Sequence, residues 1–267
     1  MITFLFLFFL FGLIVGSFLH VVVVRFHSAE TLLGRSYCRV CRRLIQWFDN
    51  IPLLSFLLLR GKCRRCKSLI SWRYPLAELL TGCLFFLVGW KFFESTDMFS
   101  WGETFFYLLV VSFSLIIVLY DAKHYEIPMR ILWGLLFSTI IFFFFVDFIT
   151  FSQKTSFWDF RLYSGLFSGT IAFLFFFSLS FFSKERWMGY GDAYVAFTIG
   201  LLLGPDSLEA ILLSFILGAL YGVGQIILKR KTLSSQVPFA PFLFLGMFCS
   251  VFFGDVLAKF FPFVFFF

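Results

Sequence analysis

The sequence has no polar stretch long enough to build a large soluble domain: 61% of its 267 residues are hydrophobic and only 14% are charged. That excludes a soluble globule. The first apolar run, residues 2 to 24, lacks the basic start and small-residue cleavage site of a signal peptide, so it is expected to remain as a helix. No strand followed by a glycine-rich dinucleotide fingerprint is present. Nor does an internal repeat of the inverted-repeat transporter kind stand out.

What is abundant is phenylalanine, with 47 copies, set in apolar runs long enough to cross a bilayer. These runs predict an all-α polytopic membrane protein with about eight transmembrane helices, near residues 2–24, 74–90, 102–120, 130–149, 161–182, 193–204, 208–228 and 238–262. The sixth is short. At about 1.5 Å per residue it needs its flanks, or a thinned or protein-buried setting, to bridge a core of about 30 Å. The expected organisation is a first transmembrane helix (1–24), a loop domain (25–73) and a transmembrane bundle (74–267).

The formal charge of +7 does not point to nucleic acid, because half of the 22 Lys and Arg lie between Arg25 and Arg73. Placing that loop in the cytoplasm puts Lys123, Arg130, Lys184, Arg186 and the run Lys229-Arg230-Lys231 on the same side. Only Lys91, Lys154, Arg161 and Lys259 remain outside, among acids such as Glu94, Asp97, Glu103, Asp206 and Glu209. The positive-inside rule is then met with both termini outside. The same parity brings Asp121, after the third span, and Asp192, before the sixth, to the cytoplasmic face.

In that basic loop, Cys38-x-x-Cys41 and Cys63-x-x-Cys66 form two dithiol knuckles, close to a four-cysteine zinc pattern. Four thiolates close a tetrahedral Zn2+ site with no open position, a structural clasp for a loop too small and basic to build a core. Two disulfides are the competing reading, disfavoured in a reducing cytosol. His20 and His27 lack ligand spacing to the cysteines, and Cys83 and Cys249 read as small buried hydrophobes within spans. Asp49-Asn50-Ile51-Pro52 has turn composition ahead of an apolar stretch, Leu53 to Leu59, too short to span.

An acid at a membrane-helix boundary is costly unless paired, solvated or used. Asp192 follows Gly189-Tyr190-Gly191, and as a bland alternative it serves only as a helix N-cap. Asp121, likewise, reads either as a surface acid balanced by Lys123 or His124 or as the partner of Asp192. Two carboxylates held together share a proton and titrate as a coupled pair, placing an acid and a base at one point. Gly189 and Gly191 then let an extended substrate backbone approach. Glu78, Glu126 and Glu185 are rival second acids.

These residues resemble the type IV prepilin peptidase family of membrane aspartic proteases. The resemblance runs through Gly16 to Arg25, Arg35-Ser36-Tyr37-Cys38, Asp49 to Ser55, Gly61 to Cys66 and Ile70 to Glu78, then Asp121 with Ile127-Pro128, and Gly189-Tyr190-Gly191-Asp192. It implies that Asp121 and Asp192 are catalytic, and that the substrate is a type IV prepilin or pseudopilin whose basic leader is cut after glycine, at the inner membrane. It also implies, for members of this long form, methylation of the new N-terminal residue from S-adenosylmethionine. His20, where asparagine is common, and Ala240, where glycine is usual, depart from the pattern. Outside this resemblance stand a proton- or cation-coupled transporter using the two acids, and a noncatalytic assembly protein docking through its zinc loop. A transporter relay would favour midplane acids, which the spans do not show.

Overall fold

A computed structural model describes residues 2–28, 30–31, 34–93, 97–151, 156, 159–229 and 237–260. The sequence-assigned charges Glu94, Lys154, Arg230 and Lys231 lie outside them. Nine α-helices are present among the described residues: α1 (Ile2–His27), α2 (Leu54–Leu58), α3 (Arg73–Phe92), α4 (Met98–His124), α5 (Met129–Ile149), α6 (Arg161–Ser183), α7 (Tyr190–Leu203), α8 (Ser207–Ile227) and α9 (Ala240–Phe260). Seven stretches are long and apolar enough to cross a membrane, and one of them, Tyr190–Ile227, is divided into α7 and α8 by a 3-10 turn at Gly204–Asp206. The all-α, multi-pass expectation is borne out.

The helix ends differ from the apolar runs in an instructive way. α4 continues through Asp121 to His124, and α7 starts at Tyr190, so both acids lie inside terminal helical turns and not beyond them. Hydropathy marks the hydrocarbon-facing part of a helix, whereas its backbone hydrogen bonds continue into polar residues until a stop. For α4 the stop is Tyr125, at φ 58°, followed by Ile127-Pro128 leading into α5.

The chain forms two compact units, Met1–Ile116 and Ile117–Phe267, parted within α4. In the first unit α1 and α3 meet through small residues. A Cβ on Gly12 would lie 2.8 Å from the Cα of Gly82, and one on Gly16 would lie 2.8 Å from the Cα of Glu78. In a membrane, where lipid tails are as apolar as Leu, such close backbone contact replaces the hydrophobic drive between helices. Phe4, Phe8, Phe93 and Trp101 pack as an aromatic cluster at the other end of these helices.

The second unit repeats this device. Gly165 and Gly169 of α6 lie against the backbone of Leu201, Phe197 and Gly200 in α7, leaving no room for a side chain at Gly200. Gly246 of α9 sits in the same way against Ala210 and Ser214 of α8. Phe176, Phe215 and Phe239 fill the space between α6, α8 and the approach to α9. Many other phenylalanines, including Phe144, Phe148 and Phe182, face outward, as a lipid-facing surface requires. Asp147, near the end of α5 and not singled out by the sequence, caps α6 by accepting from the N–H groups of Arg161 (3.1 Å) and Leu162 (2.9 Å).

Candidate active site and metal centre

In the second unit, α4 ends and α7 begins beside one another. Asp121 is in the last turn of α4 and is 5% exposed, so it is not the surface acid of the bland reading. The backbone N–H of Ala240, at the start of α9, donates to its carboxylate. Its Oδ2 is buried with no hydrogen-bond partner among the described residues. An acceptor left bare in this way costs free energy on the order of 1–3 kcal/mol unless something else uses it.

Asp192 is the third residue of α7 and is 9% exposed. Its Oδ2 accepts from the N–H of Gly189 at 3.2 Å, while its own N–H donates to the carbonyl of Gly189 at the same distance. This is the half of a capping box that the N3 carboxylate supplies: Gly189 is the N-cap, Asp192 reaches back to its N–H, and glycine has no side chain to return a bond. Asp192 is therefore not the N-cap itself. Asp121 acts electrostatically on Asp192, so the two carboxylates share one neighbourhood.

The turn before α7 is held from α6. Ser180 Oγ donates to the carbonyl of Met188 at 2.9 Å, and Ser183 Oγ accepts from the N–H of Trp187. The two glycines differ. A Cβ on Gly191 would lie 2.9 Å from Ile127 Cδ1, so that position is where α7 packs against the turn between α4 and α5. Above Gly189 there is space, with Asp192 Oδ2 as the nearest side-chain atom at 3.8 Å. The rival acids stand elsewhere: Glu126 and Glu185 are exposed, and Glu78, in the first unit, accepts the Leu53 N–H at 2.8 Å.

The loop of the first unit contains two matching knuckles. The Cys38 N–H donates to the Arg43 carbonyl and the Arg42 N–H to Cys38. Twenty-five residues later the Cys63 N–H donates to Ser68 and the Lys67 N–H to Cys63. Arg42 and Lys67 both take positive φ, 56° and 60°. Each knuckle is closed by a bridge, Tyr37 to Leu44 and Lys62 to Leu69. The four Sγ atoms all lie within 4.8 Å of one another, with Cys38 and Cys66 at 3.8 Å. Thiolates about 2.3 Å from a tetrahedral zinc are about 3.8 Å apart, so the donor set fits the ion. Without an ion the neighbouring thiols move apart in pKa: the N–H of Cys41 brings the Cys38 thiol down to about 6, while Cys41, beside Cys38 and Cys66, goes up to about 11.

Neither histidine joins this cluster: the His20 ring packs at a tilt against Tyr74, with centroids 3.8 Å apart, and His27 ends α1. All six cysteines are free. Cys83 is exposed on α3 and Cys249 on α9 is half-buried, so neither is the fully buried residue expected. Arg64 grips Asp49 with both arms of its guanidinium, at 2.6 to 3.0 Å, tying the 3-10 turn Trp47–Asn50 to the second knuckle.

Among known families, the bacterial peptidase A24 N-terminal domain matches residues 10–92, and the type IV leader peptidase family matches residues 108–223. A prepilin leader peptidase/N-methyltransferase of Bacillus subtilis is 32% identical over 254 residues, 94% of this chain and 95% of its own. Proteins of the same name from Pseudomonas aeruginosa and Aeromonas salmonicida are 30% and 28% identical over 94% of the chain, covering 90% and 91% of their own lengths. No solved structure matches.

Proposed function

We propose a catalytic assignment for a chain that belongs to the type IV leader peptidase family: it is a multi-pass membrane aspartic endopeptidase, and Asp121 and Asp192 are its catalytic pair. The observation that carries the assignment is the pairing of two buried carboxylates at the ends of α4 and α7, one with an oxygen that no group among the described residues satisfies.

In this reading one carboxylate is ionised and the other protonated. The ionised member takes a proton from a water, which attacks the scissile carbonyl carbon. The protonated member donates to the carbonyl oxygen; as the tetrahedral intermediate collapses, that proton returns to it and the proton taken from the water passes to the leaving amine. The Ala240 and Gly189 N–H groups orient the two carboxylates, leaving Asp121 Oδ2 for the water or the substrate. Substrate backbone approaches over Gly189, while Gly191 serves the packing of α7 on Ile127.

The substrate class is a type IV prepilin or pseudopilin, cut between its basic leader and an apolar helix that the enzyme meets at the membrane. The site faces the cytoplasm of the inner membrane, with both termini outside, as the charge distribution requires. Cys38, Cys41, Cys63 and Cys66 hold a structural Zn2+, which supplies a cross-link between the knuckles and no open position for chemistry. The names of the relatives also pair leader peptidase with N-methyltransferase. Among the described residues no strand and glycine-rich loop form an adenosyl cradle, so no residue is assigned to S-adenosylmethionine and no step is routed through it.

The test is cleavage of a prepilin by the reconstituted protein, compared with Asp121→Asn and Asp192→Asn. Each variant should fold and lose about 10²- to 10⁴-fold in rate, the range supplied by general acid-base groups. Cleavage by both folded variants at the wild-type rate would remove the assignment. The mass of the new terminus, measured in the same samples with a labelled methyl donor, reads methylation separately.

A further inference from the structure

The short helix α2 is held at a defined height on α3. Leu53, at a positive φ of 57°, gives its N–H to Glu78 Oε2 at 2.8 Å. Glu78 is 8% exposed, in the second turn of α3, and also bonds the hydroxyl of Ser17 in α1. Helix side chains lean toward the N-terminus, so this carboxylate reaches back to the level of the first turn of α3. Where α3 crosses a membrane, that level is the boundary between hydrocarbon and head groups.

At that height α2 has two unlike sides. Phe56 turns inward, under Gly61 and edge-on to Trp72 at 4.8 Å. Leu54, Leu57 and Leu58, at helical spacing i, i+3 and i+4, turn outward; Leu57 is 68% and Leu58 72% exposed, beside an equally exposed Trp72. The chain that follows α2, up to the start of α3, carries the exposed cations Arg60, Lys62, Arg65, Lys67 and Arg73. The nearby acid Asp49 is engaged by Arg64.

We propose that α2 is an interfacial foot: Leu54, Leu57 and Leu58 enter the lipid leaflet beside α3, and the exposed cations of the segment between α2 and α3 bind anionic phospholipid head groups. Apolar side chains flanked by Trp and by Lys and Arg are the composition that binds an anionic interface. The Glu78 bond to Leu53 sets the depth of entry, which makes Glu78 a positioning residue for the loop. The proposal rests on α3 crossing the membrane and not on the catalytic role of the aspartates.

The experiment uses the full chain in nanodiscs of phosphatidylethanolamine and phosphatidylglycerol, with Leu57 or Leu58 replaced by benzoylphenylalanine. Illumination should give phospholipid adducts at both positions by mass, with the yield falling when phosphatidylglycerol is omitted. Glu78→Ala should reduce the adducts at position 58, whereas Glu78→Gln, whose amide oxygen still accepts from Leu53, should keep them. Absence of lipid adducts at both positions overturns the proposal, as does cross-linking to added prepilin in their place, which would make this face a substrate surface. Adducts in the otherwise native chain decide the matter even where Glu78→Ala does not fold.

Discussion

Asp192 holds two positions at once. Its Oδ2 closes the start of α7 through Gly189, and its carboxylate shares a neighbourhood with Asp121. The cap fixes the rotamer of the acid, so the two roles support each other. Asp121 is oriented from the opposite direction, by the N–H of Ala240 at the head of α9. Proline at position 240 would delete that donor where a helix start tolerates its ring. A hydrogen bond to a charged group contributes about 1.5–3 kcal/mol, so Ala240→Pro should lower prepilin cleavage by about 10-fold or more with the fold intact. Unchanged kcat in a folded variant would show that Ala240 does not position Asp121. Neither this donor nor the bare Oδ2 was legible in the sequence, since both arise where the start of α9 meets the end of α4, more than a hundred residues apart in the chain.

At the scale of elements, the two knuckles are one small structure made twice, with the same two hydrogen bonds and the same positive-φ residue after the second cysteine. Their cysteine spacing was readable because a metal constrains ligands locally. The seat of α2 was not readable, because it depends on a glutamate in a different helix accepting a backbone amide. Replacing Cys63 or Cys38 by serine should remove bound zinc from the purified protein, measured by elemental analysis, and should expose the loop to limited proteolysis. Full zinc retention in both variants would remove the four-thiolate centre. The glycine contacts of α1 with α3 and of α6 with α7 illustrate a second limit: spacing of Gly12 and Gly16, or of Gly165 and Gly169, is visible in sequence, but which helix each pair faces is not.

For the whole molecule, the distribution of Lys and Arg sets an orientation that can be checked directly. Affinity tags at either terminus should be accessible from the outside of intact spheroplasts, and a tag inserted at the exposed Lys184-Glu185 turn should be accessible only after the membrane is opened. Tags at both termini that are protected in intact cells would reverse the proposed topology. By itself the sequence determined the class of molecule, the order of its helices, the cysteine centre and the two acids at helix boundaries. These follow from local physics, because hydrocarbon demands long apolar helices, zinc demands closely spaced thiolates, and an acid near a membrane is conspicuous by its cost. Only the tertiary structure decided that α4 and α7 extend to carry those acids within their end turns, that one Asp121 oxygen has no partner among the described residues, and that Gly189 is open while Gly191 is packed. Those outcomes depend on which backbone groups of distant segments arrive beside a carboxylate, and hydrogen bonds of that kind are specified by packing and not by the residues on either side of it.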